Sequence, residues 1–483
     1  MPVSPIAGSR LLTAVVAVAL VVLTGVRADA SDLKLWEPAE SAAAVEEEST
    51  GDAVLELVDR QQAEIDQLLR RLEAVEARAA EAPDSRLRFG YDRGFFASSP
   101  DGIRLGETTA PFLLKLNSWM QLRHTVFESE GMTADQNDIE FERLRLVLSG
   151  HVYTPDLKFF TQIDGDSDQG ELADWLDYYV LYDIGHDALG LDQNHLRIRA
   201  GKWKLPFNRT RAESGWKLQF ADRSVASSFF DINRSLGASL LGQIMIDETP
   251  LAWEAAVFNG FNTQGFVPVR SGQLDRNLAT SARCTIDLLG EWGTDGEPDL
   301  TQHENPAIRA GGGFAYSRVD AEGLRELESI RAVDSGAVLA TILPPGVDAF
   351  NVFLYAADLN FKWRGLSVLS EAYFRRINQF SGGQVADLFD RGFLVQSGYF
   401  VCPNKLELVG RWSRIVGDSG TLGDRRQSAD EVAGGVVWYI RGHFAKLTFD
   451  VTRVNGTPIR DPALNLLPGD DGILYRSQFQ LWF

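Results

Sequence analysis

The chain is poor in the residues that staple small secreted domains or build catalytic centres. Only Cys284 and Cys402 are cysteine, which excludes a disulfide scaffold. The six histidines, among them His151, His195, His303 and His443, show neither an HExxH helix nor any paired ligand spacing. No Gly-x-Ser-x-Gly elbow and no glycine-rich phosphate loop occur either. These absences predict no enzyme, no cofactor and no metal. The stretch 164–171 comes nearest to a calcium loop, but its glycine falls one position late and Trp175 stands where the last ligand belongs. It reads as an acidic, solvated loop. A formal net charge of −20 leaves no basic footprint for nucleic acid.

Long apolar runs are also missing. After Ala30 no stretch approaches the roughly 20 residues of a membrane-spanning helix, so any passage through a bilayer must be made by strands. What precedes Ala30 reads as an export signal over 1–30: Arg10, an apolar run over 11–23, and Ala28-Asp29-Ala30 as the cleavage site. An acidic linker follows over 31–52. Over 53–82 the apolar residues Val54, Val58, Ile65, Leu68, Leu72, Val75 and Ala79 alternate steps of four and three, with Gln61 as a polar core position. That spacing predicts a short coiled coil, periplasmic if the remainder is a barrel, and Pro83 ends it.

From residue 87 onward the period changes from 3.5 to 2. Leu144, Leu146 and Leu148 alternate with Arg143, Arg145 and Val147. The same dyad recurs in 353–364 and 445–452. The pattern predicts strands near 112–126, 140–151, 156–164, 174–183, 194–205, 235–246, 251–259, 276–289, 306–317, 348–363, 366–377, 391–401, 404–416, 431–441, 443–455 and 472–483. Sixteen strands, with long connections after odd ones and tight turns after even ones, predict an all-β, antiparallel transmembrane barrel over 87–483. The connections 184–193 and 290–305 are longer than that scheme wants. Trp119, Trp203, Trp253, Trp363, Trp412, Trp438 and Trp482 are candidates for interfacial girdles or for a lumenal track. In the last strand Tyr475, Phe479, Leu481 and Phe483 share one face, which reads as a barrel-insertion signal for the barrel assembly machinery. Closure with the first strand would bury that edge.

Four blocks carry a resemblance: Tyr91-Asp92-Arg93-Gly94-Phe95-Phe96 with Asp101-Gly102, then Phe141 to Leu146, Gly201-Lys202-Trp203-Lys204-Leu205-Pro206-Phe207, and Val257-Phe258-Asn259-Gly260. In this order they resemble the phosphate-selective porin O and P family. The resemblance implies a sixteen-stranded homotrimeric porin in the outer-membrane lipid, passing anions such as phosphate. The charge of the barrel itself argues the other way: removing about −9 for 31–86 and about +1 for the signal leaves about −12. Selectivity depends on the few side chains at the constriction, however. Alternation turns Lys115, Arg123, Arg143, Arg145, Arg197 and Arg199 into the lumen. The third long connection carries Arg209, Arg211, Lys217, Arg223 and Arg234, and is expected to fold inward as a constriction loop. Passive diffusion of small hydrophilic solutes, with anions preferred, is the function these residues favour. The alternative is a structural barrel tethered to the cell wall through its coiled coil.

Overall fold

The computed structural model describes residues 67, 70 and 87–483, except 106–107, 132, 166–173, 247–248, 262–275, 295, 322–325, 327–329, 333–336, 419–421, 424–427 and 457–469. The expected signal peptide, acidic linker and coiled coil lie outside the described residues, apart from Gln67 and Arg70, which are helical. The chain divides into Met1–Ala82 and Pro83–Phe483, and the second unit is built of strands. These are β1 (Arg88–Tyr91), β2 (Phe95–Leu105), β3 (Thr108–Ser129), β4 (Gln136–Val152), β5 (Leu157–Asp164) and β6 (Asp174–Tyr182). Next come β7 (Arg197–Lys204), β8 (Arg234–Ile246), β9 (Thr249–Phe258), β10 (Ala279–Leu289), β11 (Ala307–Asp320) and β12 (Ala349–Trp363). The last are β13 (Leu366–Ser381), β14 (Leu388–Cys402), β15 (Leu406–Val416), β16 (Ser428–Tyr439), β17 (Ala445–Asn455) and β18 (Asp471–Trp482).

Each strand from β3 to β18 pairs antiparallel with its neighbour in sequence, and β18 returns to β3, with Trp482 opposite Trp119 and Gly472 opposite Ser129. The result is a closed sixteen-stranded barrel, as alternation and loop lengths predict. Phe483 completes the seam. Its N–H donates to the Ser118 carbonyl at 2.9 Å, and the Ser118 N–H donates back at 2.8 Å. No ladder edge is left open there, which is what a strand immersed in hydrocarbon requires.

Alternation then sorts every strand into two faces. On β17, Lys446, Thr448, Asp450 and Thr452 are buried toward the interior, while Leu447, Phe449 and Val451 face outward. Exposed Leu122, Leu144, Val180, Leu240, Leu359, Val395, Leu408, Val432 and Tyr475 continue the apolar exterior around the barrel. Such a surface suits lipid and would be an aggregation hazard in water. Register places Trp253, Trp363, Trp412 and Trp438 at outer positions and Trp119, Trp203 and Trp482 at inner ones, so only part of the tryptophan set is available to a girdle.

Three features escape the dyad pattern. Below Phe483, where β18 has ended, β2 takes its place along β3, with Phe95 opposite Leu116, and β1 folds back on β2. The turn between them, Asp92-Arg93-Gly94, uses positive φ at Arg93 (50°) and Gly94 (130°). The four residues of β1 give too few alternations to read, and β2 is interrupted by Pro100-Asp101-Gly102, a turn signal at which its register shifts, so this hairpin is not in the predicted set. The two overlong turns are genuine. One carries helix α1 (Ile184–Leu189), capped by Asp183 at one end and Gly190 at the other. The other, 290–306, folds into the barrel and buries Trp292, Glu297 and Asp299.

One glycine is required by the wall itself. Gly201 of β7 has φ of +134°, and a β-carbon there would lie 2.2 Å from the Tyr178 carbonyl oxygen. Gly201→Ala is therefore expected to destabilise the barrel by about 1–3 kcal/mol. A lowered urea midpoint for the detergent-refolded protein checks it; an unchanged midpoint would show that β6 yields freely.

Candidate functional site

The third long connection, 205–233, turns into the barrel and lies along the wall from β12 to β18. Its backbone groups would be costly to bury without partners. The inward side chains of the wall supply them. Glu371 accepts from the Arg209 N–H (2.6 Å), the Thr210 N–H (3.1 Å) and the Thr210 hydroxyl (2.7 Å), holding the start of helix α2 (Arg209–Ala212). Asp450 accepts from the Ala221 N–H at 3.0 Å, and Glu431 from the Val225 N–H at 2.6 Å. Lys446 donates to the Leu218 carbonyl. The Gln219 amide donates to Ser367 at 2.8 Å and Glu407 at 2.5 Å, while its backbone N–H reaches Glu297 of the inward turn at 2.8 Å. Helix α3 (Val225–Phe229) is held by Ser413, which accepts from the Ala226 N–H.

Apolar contacts fix the same segment. Phe230 stacks on Tyr373 with centroids 5.5 Å apart and planes at 3°. Phe207, Ile232, Leu394 and Ile415 join that cluster, and Phe220 packs with Phe400, Val409 and Tyr439. Much of the inward polarity of β12 to β18 thus serves to seat a loop. Glu371→Ala would leave the two N–H groups at the start of α2 without acceptors, at a cost of about 1–3 kcal/mol. Limited proteolysis of that variant in detergent is expected to cut within 205–233, where the parent resists. Equal resistance would mean that Phe230 and its neighbours hold the loop unaided.

Asp222 is the electrostatic pivot of the loop. It lies 3.4 Å from Arg123 and 3.2 Å from Arg143, and both guanidinium groups also reach Glu142, at 2.9 Å and 3.0 Å. Burial by itself would raise its carboxyl. Arg143, Arg123 and Arg476 outweigh that and hold it well below the usual carboxylate range.

Between this loop and the opposite wall, β3 to β10, runs a passage of about 860 Å³. Among the described residues eight cationic side chains line it, Arg93, Lys115, Arg145, Arg197, Arg199, Lys204, Arg234 and Arg283, against two carboxylates, Asp177 and Glu254. Several cations are fixed by ion pairs. Arg145 meets Asp164 at 2.9 Å, Arg199 meets Glu254 at 3.1 Å, Arg234 meets Asp177 at 2.9 Å and Arg283 meets Asp358 at 2.5 Å. Lys115 reaches only the exposed Asp92, at 3.7 Å, and Lys204 donates to the Glu213 carbonyl. Among the described residues Arg197 forms no ion pair, and its buried Nε has no hydrogen-bond partner. Positive charge therefore exceeds its built-in compensation along this route.

The expected site residues separate into two groups. Lys115, Arg145, Arg197 and Arg199 border the passage. Arg123 and Arg143 face inward but are covered by the loop, exposed by only 3% and 7%. Within the connection, Arg209 lies over the Trp292 ring, Arg211 pairs with Asp231, Lys217 donates to the Thr294 carbonyl, and Arg223 donates to the carbonyls of Thr210 and Glu213. These four stitch the loop in place. Arg234 opens β8 and borders the passage. Sequence reasoning missed Arg93, Lys204 and Arg283. Alternation within β10 points to Arg283, whereas Arg93 sits in a turn and Lys204 at a strand end, where the dyad gives no direction. Residues 166–173 of the calcium-like stretch lie outside the described residues, and Asp164 is engaged by Arg145.

No protein-family model matches the chain, and no curated protein matches it. Solved structures do. The anion-selective porin from Comamonas acidovorans superposes with a TM-score of 0.50 at 11% identity, covering 77% of this chain and 100% of that one. The outer membrane channel DcaP of Acinetobacter baumannii gives a TM-score of 0.46 at 11% identity over 79% and 99%. Outer-membrane expressed OmpT of Vibrio cholerae gives 0.46 at 10% identity over 78% and 99%. At these identities the likeness is one of fold alone.

Proposed function

We propose that this chain is an outer-membrane diffusion channel that prefers small anions. The observation that carries the proposal is the passage itself, where eight cations face two carboxylates in a wall whose outer surface is apolar. Selectivity in a wide pore is set by charge at the narrowest stretch, and fixed guanidinium groups bind oxyanions by paired hydrogen bonds without trapping them when several sites follow one another. The negative charge of the whole chain bears little on this, because selectivity depends on the few side chains that line the narrow stretch. Phosphate as a permeant, assembly as a homotrimer, recognition of the Phe483 strand by the assembly machinery and placement of the tight-turn end in the periplasm belong to the same proposal. They rest on the resemblance and on the loop lengths.

The route is tested by cysteine modification. Arg197→Cys in a planar bilayer is expected to lose current stepwise when a membrane-impermeant anionic thiosulfonate is added, whereas Lys446→Cys, sealed behind the loop, keeps its current. The native Cys284 and Cys402 are exposed at outer register positions and provide the background. Block at both positions would place the route elsewhere, and a barrel that conducts nothing would favour the structural tether.

A further inference from the structure

The lumenal face of a diffusion channel is ordinarily polar. Here aromatic residues break that rule, among them a pair that stands side by side. Phe160 of β5 and Tyr179 of β6 are directly opposite in register and both border the passage. Their rings stack with centroids 5.3 Å apart and planes at 17°. A cation flanks them on the neighbouring strand. On β7 Arg199 lies 5.0 Å from Tyr179 and 5.5 Å from Trp203. The wall thus presents aromatic surface beside cation, with the Arg197 Nε, which has no hydrogen-bond partner among the described residues, on the same strand as Arg199.

Inorganic phosphate would gain from the cations and nothing from the rings, beside which its hydration is lost. A neutral sugar would gain from the rings and leave the excess charge unmet. We propose that this wall is a binding site for organic anions with a flat apolar body, aromatic monocarboxylates in particular. The carboxylate meets Arg197, and the ring lies along Phe160 and Tyr179. A volume of about 860 Å³ accommodates such a molecule with room to pass, and ring contact supplies selectivity beyond charge. The inference rests on the anion-channel reading and narrows it to a ligand class.

The test compares block of chloride current through the wild-type protein by benzoate, acetate, benzyl alcohol and inorganic phosphate in the same bilayers, after the reversal potential in KCl has been recorded. Benzoate is expected to halve the current at a concentration about tenfold below acetate or phosphate, with benzyl alcohol ineffective at that concentration. Phe160→Ser and, separately, Tyr179→Ser are expected to bring benzoate down toward acetate. Equal block by benzoate, acetate and phosphate in an anion-selective channel would overturn this site and leave the channel reading standing. Equal block by benzyl alcohol and benzoate would assign the rings to neutral solutes and also overturn it. A cation-side reversal potential, or no conductance, would overturn both.

Discussion

Replacing residues 209–230 with a short Gly-Ser linker is expected to raise single-channel conductance several-fold and to weaken ion selectivity. The reason lies in how the interior is divided. The barrel ladder from β3 round to β18 and back is complete without the loop, so the wall should survive its removal. The loop and the inward turn occupy the half of the lumen beside β11 to β18 and leave open the passage along β3 to β10. Side chains that now seat the loop, Glu371, Glu407, Glu431, Lys446 and Asp450, would become hydrated in a widened lumen. Most of these are carboxylates, which is why selectivity should fall along with resistance. Planar-bilayer recording of the two proteins decides it: an unchanged conductance would mean that the loop does not limit the route.

The second large effect is expected from Lys115→Glu combined with Arg197→Glu. Neither loss leaves a buried carboxylate stranded, since Lys115 reaches only exposed Asp92 and Arg197 forms no ion pair among the described residues. Removing Arg145 or Arg234 instead would uncover Asp164 or Asp177, a cost of several kcal/mol for an unpaired buried charge. The double variant changes the lining from eight cations and two carboxylates to six and four. Under a tenfold KCl gradient the reversal potential should move toward the cation side by tens of millivolts, against a ceiling of about 59 mV for a monovalent ion. A potential that stays where it was would take both residues off the conducting path.

Much of this fold is legible in the sequence because lipid imposes the dyad pattern on every strand. Leu144 against Arg145, or Phe449 against Asp450, fixes face and register together, and a slip of one residue would put charge into hydrocarbon. Each of the sixteen predicted strands has its counterpart in the barrel. The same pattern is silent about what an inward polar residue faces. Arg123 and Arg145 are equivalent by alternation, yet one is sealed against Ala221 and Asp222 and the other borders the passage. That difference is set by the path of a loop whose anchors, Glu371 and Asp450, lie far away in sequence. Loop arginines mislead for a related reason: Arg211 and Arg223 satisfy the loop's own carboxylate and carbonyls. The rings of Phe160 and Tyr179 look like ordinary strand residues until the register sets them side by side.

The most direct test of the account is the reversal potential of the wild-type protein, reconstituted in a planar bilayer under a KCl gradient. An excess of cations along the passage predicts a potential on the chloride side, reduced by added salt as screening weakens the lining charge. A potential on the potassium side would show that the acidic surfaces outside the passage govern permeation, and the assignment of the cationic route as the selectivity element would be wrong.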